Sequence, residues 1–418
     1  MAAFLPAASR PAGGRPFVVG LAGALALAVA MGIGRFAFTP LLPMMLGEQS
    51  IDLPQASWLA TANYLGYLIG ALLCMVLSNR WRLDAARLVR AGLVATTLLT
   101  LAMALPWVPA WGALRFLAGV ASAVVFVFTS GWCLARLAAL GTPALGGLIY
   151  VGPGAGIALS GLAVSAMVAW HWPSASGWLV FGVLAAGLTA LVWPIFRPAH
   201  PAPAATAPAP VAPAAAGRSP DGPVATGLFV LAYGLAGFGY IITATFLPVI
   251  AREALPGSVW LDLFWPLLGL GVAIGALLAT RIPLRHDGRH LLAGCYAVQA
   301  LGVMASVWLP SLAGFALGSL LVGLPFTAIT YFAMQEARRL RPGGAASFMG
   351  LLTAAYGLGQ IAGPPLANAL LHGGASRARG FTLSLGTASA ALLLGALIFL
   401  WLGWAHPVRS SSSSGAAP

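Results

Sequence analysis

Arg35 lies near the middle of an apolar run that extends from Phe17 to Leu46. A charged side chain at that depth in a hydrocarbon layer costs about 2.5–3.5 kcal/mol on insertion scales, so it faces a cavity or a partner and is a functional candidate by default. The expected partner is a carboxylate. All eight acids, however, fall at run ends or between runs: Glu48, Asp52, Glu253 and Asp262 toward one side, Asp84, Asp221, Asp287 and Glu336 toward the other. The guanidinium must then be satisfied by backbone carbonyls, amides, hydroxyls, water or a visiting group. Its planar fork of donors suits a carboxylate or a phosphate, so the chemistry expected at Arg35 is reversible capture of an anion. The competing reading is structural: an arginine that holds helix backbone broken at Gly32, Gly34 and Pro40. Thr39, four residues on, shares its helical face.

Other polar residues recur at helical spacing inside apolar runs. Asn63, Tyr67 and Gly70 share a face of the second run; Tyr233, Gly237 and Tyr240 share one of the seventh. Arg115 is placed nearer the outer end of the fourth run, where it either serves the cavity or snorkels to the interface. Tyr331, Tyr356 and Gln360 are further candidates, although polar groups in membrane helices also serve as interhelix bonds worth about 0.6 kcal/mol on average. Cys74, Cys133 and Cys295 lie in apolar runs and read as buried thiols. His286 and His290 have i,i+4 spacing but lack a third ligand, and read as a solvated basic turn. No catalytic group, metal or cofactor is expected.

The elements that must position these residues follow from composition. The chain has 418 residues, 60% of them hydrophobic and 7% charged, whereas a soluble protein carries about 25% charged residues. Apolar runs near 17–46, 55–78, 88–108, 111–135, 145–170, 177–196, 227–250, 261–282, 291–309, 312–335, 347–371 and 381–404 are each long enough to cross a ~30 Å hydrocarbon slab as helix, and far longer than a barrel strand. An all-α integral membrane protein of twelve transmembrane helices is predicted, which excludes a soluble enzyme, a disulfide scaffold and a nucleic-acid-binding domain despite the net charge of +13. All 21 basic residues are Arg. With a cytoplasmic amino terminus, sixteen fall inside and only Arg252, Arg377 and Arg379 outside; such a bias follows the positive-inside rule and puts both termini in the cytoplasm. Trp58, Trp107, Trp111, Trp170, Trp172, Trp178 and Trp260 are expected at the outer interface.

The chain divides into a cytoplasmic tail at 1–16, with no cleavable signal before the first run, a six-helix bundle at 17–196, a Pro/Ala-rich cytoplasmic linker at 197–223, a second six-helix bundle at 224–405 and a disordered Ser-rich tail at 406–418. The two bundles are a duplication. At one constant offset of 205 residues, Gly32, Gly34, Leu42 and Pro43 match Gly237, Gly239, Leu247 and Pro248; Gly66 and Ile69–Leu73 match Gly271 and Ile274–Leu278; Gly152 and Gly154 match Gly357 and Gly359. Six spans per copy is an even number, so the copies run in the same direction and face each other across a pseudo-two-fold axis along the membrane normal. Tyr240 is the repeat equivalent of Arg35, and the two are expected on opposite walls of one cavity. Two bundles rocking about a site between them is the geometry of alternating access.

Twelve spans in two parallel halves joined by a long linker resemble the major facilitator superfamily, and GIGRFAFTPLLPMM (Gly32 to Met45) is similar to the first-span signature of its bacterial YbfB/YjiJ-like branch. RFLAGVASA, with Arg115 and Gly119, resembles the span-four arginine motif, with Ala118 in place of the usual Gln. GPGAG, containing Gly152, Pro153 and Gly156, is similar to the span-five motif of the superfamily's antiporters, and with Gly32, Gly34, Pro40, Gly237 and Gly239 supplies candidate helix breaks and gates. The loop between spans two and three departs from the family pattern: Arg80 is kept but Asn79 stands where an Asp is usual. The resemblance implies a secondary transporter of the bacterial inner membrane. The reading is transport of a small organic anion contacted by Arg35, with efflux of hydrophobic or drug-like compounds as the alternative. A membrane-embedded transferase would need an acid–base pair or metal cluster that the sequence lacks, and a receptor on the same fold would need a larger soluble domain. With no acid at mid-depth, a facilitator, an exchanger, or coupling through Asp52, Asp262 or Glu336 is expected. The partners expected are a small solute and lipid, with no nucleic acid and no obligate protein partner.

Overall fold

The computed structural model describes residues 15–80, 84–197, 222–258, 260–282, 287–341, 345–373 and 376–406; most of the Pro/Ala linker and the Ser-rich tail, along with Asp221 and His286, lie outside them. Every regular element among the described residues is helical. The first half comprises α1 (Pro16–Leu27), α2 (Phe38–Gly47), α3 (Leu53–Arg80), α4 (Ala85–Ala102), α5 (Val108–Ala139), the short α6 (Gly146–Ile149), α7 (Val151–Ala169) and α8 (Ser174–Val192). The second comprises α9 (Gly222–Ala254), α10 (Phe264–Arg281), α11 (Gly288–Trp308), α12 (Leu312–Gly323), α13 (Phe326–Leu340), α14 (Ala345–Gly373) and α15 (Arg377–Ala405). We call the end of the helices that carries Arg15, Arg136, Arg281 and Arg338 the basic end, and the opposite one, with Glu48, Trp58 and Arg252, the far end.

Eleven helical stretches among the described residues are long and apolar enough to cross a membrane, against twelve expected. The difference falls on α14. It is 29 residues long, but Gln360, Asn368 and the Pro364–Pro365 pair make it less apolar than the others. That is the physical signature of a helix whose polar residues face protein rather than lipid.

The repeat seen in sequence recurs in packing. The π-helical turn Ala28–Ile33 packs on α7, as α9 packs on α14; α3 packs on α5, as α10 does on α12; α4 packs on α8, as α11 does on α15. The halves meet along three seams, α3 with α14, α7 with α10, and α2 with α9. Without a hydrophobic driving force between helices in lipid, such seams depend on small residues that let backbones approach. A Cβ on Gly66 would strike the Phe116 carbonyl, and Gly154 and Gly269 face each other's backbones in the seam between α7 and α10. Gly66→Val must therefore push α3 off α5, at about 1–3 kcal/mol or more, and should lower the thermal-unfolding midpoint and the folded yield in detergent. Gly131→Ala, which meets nothing within 4 Å, should leave both unchanged.

Five of the seven tryptophans expected at an interface are exposed there, Trp58 at 63% among them. Trp111 and Trp178 are corrections: both are buried, Trp178 at 2%, and Trp111 donates from Nε1 to the Leu105 carbonyl at 3.0 Å. They lie inward from helix starts at Val108 and Ser174 and turn into the bundle.

Candidate functional site

The first membrane-crossing helix is not continuous. α1 widens into the π-helical turn Ala28–Ile33, where Gly34 N donates to Val29 O and Phe36 N to Met31 O, and residues Gly34–Ala37 form an irregular turn, with Ala37 N on Ile33 O, before α2 begins. π-turns cluster at functional sites because the extra residue strips carbonyls of their partners. Two carbonyls in this break are held by Arg115 of α5, whose Nη1 reaches Gly34 O at 3.0 Å and Nη2 reaches Arg35 O at 2.9 Å. Ser122, two turns on, donates to Ala30 O at 2.6 Å. Asn63 of α3 donates to Arg115's own carbonyl at 2.8 Å.

Of the two roles the sequence leaves open for Arg115, snorkelling to an interface does not fit its burial. Arg115 is 2% exposed, its side chain runs inward, and it performs the backbone-holding role that the sequence left open for Arg35. Asn63 likewise belongs to that support rather than to an open surface. Gly119 lets α5 approach the Asn63 carbonyl closely.

Arg35, also 2% exposed, makes no backbone bond among the described residues. Its Nη2 donates to Gln360 Oε1 of α14 at 2.7 Å, and Gln360 Nε2 in turn donates to the Tyr240 hydroxyl of α9. Its Cζ lies over the Tyr67 ring at 4.0 Å, with Tyr64 and Phe36 at 5.3 Å. Its Nε is buried without a hydrogen-bond partner. No carboxylate pairs with Arg35 among the described residues: Asp262 pairs with Arg252, Asp84 with Arg87, and Glu336 with Arg289 and Arg339. A buried guanidinium held by one neutral amide and by aromatic faces retains donors for another acceptor.

Arg35 and Tyr240, repeat equivalents, are thus joined through Gln360. Thr39 and Ala244 are repeat equivalents too, and Thr39 Oγ1 donates to Ala244 O at 2.8 Å across the seam between α2 and α9. Beside it the Tyr64 and Thr245 hydroxyls lie 2.9 Å apart. From Tyr240 to Ala251, α9 is buried on every side, so the far-end side of Arg35 is closed. Toward the basic end, Tyr67, Tyr150, Tyr331 and Tyr356 are only half-buried, and α5 and α13 do not pack on each other to any extent among the described residues.

The C-terminal half supplies an aromatic wall. Tyr240 stacks on Tyr356 with centroids 5.9 Å apart and planes at 24°, Tyr356 meets Tyr233 at 5.0 Å, and Phe326 abuts Tyr240 edge-on at 4.7 Å. Tyr331 stands lower on α13, accepting from Gln335 at 3.4 Å, and does not touch Arg35. Gly32, Gly152, Gly156 and Gly237 are positions of close backbone approach: Gly32 against Gly156, Gly152 against Ala24 and Gly237 against Tyr356. Gly34 backs onto Thr96 and Ser122, and Gly239 onto Leu392. Pro153 lies in the first turn of α7 and Pro40 in that of α2, where helix N–H groups have no intrahelical acceptor to lose. Residues the sequence reading missed are Tyr64, Thr245, Ser122 and Phe326. Tyr64, three positions before Tyr67 and so on a neighbouring part of the same face, carried a signal; the others need tertiary geometry. Two open depressions on the surface, one between α4 and α8 and one beside Glu48, His171 and Trp172, include none of these residues in their lining.

A crystal structure of a point mutant of the nucleoside transporter NupG is similar over 92% of this chain and 99% of that one, with a TM-score of 0.70 and 15% sequence identity. The fold is that of a membrane transport protein of the major facilitator type. More narrowly, the chain belongs to the family described as "Uncharacterised MFS-type transporter YbfB", whose model matches residues 27–400. No curated protein matches the chain. It is therefore a multi-pass membrane protein of a secondary-transport family, which handles small-molecule solutes.

Proposed function

We propose that this chain carries a small organic anion across the bacterial inner membrane by alternating access, with Arg35 as the residue that meets the negative charge. The observation that carries this reading is a buried guanidinium, placed where the halves meet, whose hydrogen-bond partner is a neutral amide. Gln360 Oε1 stands where a carboxylate oxygen would bind. An anion offers the same fork an opposite charge and two parallel bonds, where the amide oxygen offers one bond and no charge, and can displace the amide.

The architecture proposed around it is twelve spans in two six-helix bundles, 17–196 and 224–405, joined by a cytoplasmic linker at 197–223, with both termini in the cytoplasm. The arginine bias, the 205-residue repeat and the duplicated packing support it. The basic end is then the cytoplasmic one, and the conformation is closed outward at Thr39–Ala244 and Tyr64–Thr245. The span-end acids Asp262 and Glu336 are already paired with arginines, which favours facilitation or exchange over proton coupling.

The test is uptake into proteoliposomes, comparing a panel of small organic anions with the hydrophobic cation tetraphenylphosphonium. Saturable transport of at least one anion, reduced about 100-fold by Arg35→Gln, is expected. Transport of the cation alone, or anion transport with unaltered affinity in Arg35→Gln, would overturn the reading in favour of apolar efflux.

A further inference from the structure

Resting on the anion reading of Arg35, we infer that the solute is a planar aromatic carboxylate: the charge binds Arg35 and the ring lies against Tyr67 and Tyr356. The argument is geometric. The guanidinium carbon sits 4.0 Å from the centroid of Tyr67, and the free donors of a guanidinium lie in its plane, along its edge. A carboxylate bound to that edge lies in or near the guanidinium plane, because fork-to-fork pairing is coplanar. In an aryl carboxylate the ring is conjugated with the carboxylate and prolongs that plane. In an alkyl carboxylate the body is thick and leaves it.

The surroundings of Arg35 suit a flat body. The protein rings approach from both halves, Tyr64 and Tyr67 from α3, Tyr240 from α9 and Tyr356 from α14, so a ring lying against them gains faces and edges that aliphatic groups do not exploit. Tyr67 and Tyr356 are half-buried and so offer surface that a ligand can cover, whereas Tyr240 is already enclosed. Arg35 Nε is buried with no partner, an unused donor beside the same rings. Among the described residues no carboxylate side chain stands near enough to pair with Arg35 and compete with an incoming anion.

The test uses three probes of similar size on the purified full-length protein: benzoate, cyclohexanecarboxylate and the neutral benzamide, titrated to millimolar concentration by calorimetry. Benzoate is expected to bind at least about 5-fold more tightly than cyclohexanecarboxylate and to be weakened about 3- to 10-fold by Tyr67→Leu and by Tyr356→Leu, the loss of one ring contact. Cyclohexanecarboxylate affinity should change less than 2-fold in both variants. Equal binding of the two acids, or no effect of either tyrosine, overturns the aromatic inference and leaves the anion reading standing. Benzamide binding as well as benzoate, with Arg35→Gln without effect, overturns the anion reading beneath it. No binding of any probe overturns both. Circular dichroism and thermal unfolding of the two leucine variants distinguish lost contacts from lost fold.

Discussion

Arg115→Met should give a protein that inserts but unfolds at a clearly lower temperature than wild type, with Arg115→Lys between the two. Removing the guanidinium relieves the burial of a charge, about 2.5–3.5 kcal/mol on insertion scales. It also breaks two charge-assisted bonds, to Gly34 O and Arg35 O, each worth about 1.5–3 kcal/mol, and leaves both carbonyls buried and unpaired at about 1–3 kcal/mol each. The loss exceeds the relief because these carbonyls belong to a break in the helix and have no intrahelical donor to return to. Lysine restores the charge but not the fork, since one ammonium cannot span two successive carbonyls in the same plane. The measurement is thermal unfolding in detergent, followed by Trp emission. An unchanged midpoint in Arg115→Met would mean that the break in the first helix is held by something else.

That prediction also marks where sequence reading succeeds and where it stops. The fold was legible because membrane helices are written in composition: a chain with 7% charge must hide its backbone polar groups in helices, and a fixed 205-residue offset gives the pairing of halves. The lack of an acid beside Arg35 was legible by subtraction, since eight acids can be enumerated and none lies at its depth; among the described residues none pairs with it. The role of Arg115 stays open in the sequence because its apolar run begins only at Trp111. The helix starts earlier, at Val108, which puts Arg115 seven residues, roughly 10 Å at ~1.5 Å each, inside it. More important, its partners are carbonyls exposed by a π-turn eighty residues away, and a backbone defect leaves no side-chain signature beyond Gly32 and Gly34. Tyr64 and Thr245 were missed for a related reason. Ser, Thr and Tyr hydroxyls are common inside membrane helices and usually bond within their own helix, as Thr61, Thr96 and Thr100 do here; only three-dimensional proximity distinguishes the pair that crosses between halves.

The duplication is unequal at the level that matters for a site. α9 runs unbroken through Tyr240, whereas its equivalent is interrupted around Arg35, and Leu320 occupies the repeat position of Arg115. One half therefore presents a cation on a broken, braced segment, and the other presents a hydroxyl, an amide and rings on continuous helices. On the proposed function, an anion bound between them would have its charge fixed to the first half and its body against the second, the arrangement a rocking mechanism needs if binding is to couple the two.

Arg35→Met should separate activity from stability in the opposite sense to Arg115→Met. Transport is expected to fall about 100-fold or more, while the thermal-unfolding midpoint falls by less than in Arg115→Met. Removing Arg35 costs one charge-assisted bond of about 1.5–3 kcal/mol, ring contacts worth about 0.5–2 kcal/mol and the pairing of the buried Gln360 Oε1, set against the ~2.5–3.5 kcal/mol returned by no longer burying the charge; no backbone carbonyl is orphaned. Gln360→Leu is expected to be worse for the fold than Arg35→Met, because it leaves the guanidinium buried without its partner at 2.7 Å. The double variant should regain most of the stability, giving a coupling of about 1.5–3 kcal/mol in a thermodynamic cycle. In transport the order reverses: Gln360→Leu keeps the cation and should retain measurable activity, and the double variant should have none. If Arg35→Met instead unfolded as readily as Arg115→Met, Arg35 would be a second brace for the broken helix, and the charge at the centre of the molecule would serve architecture alone.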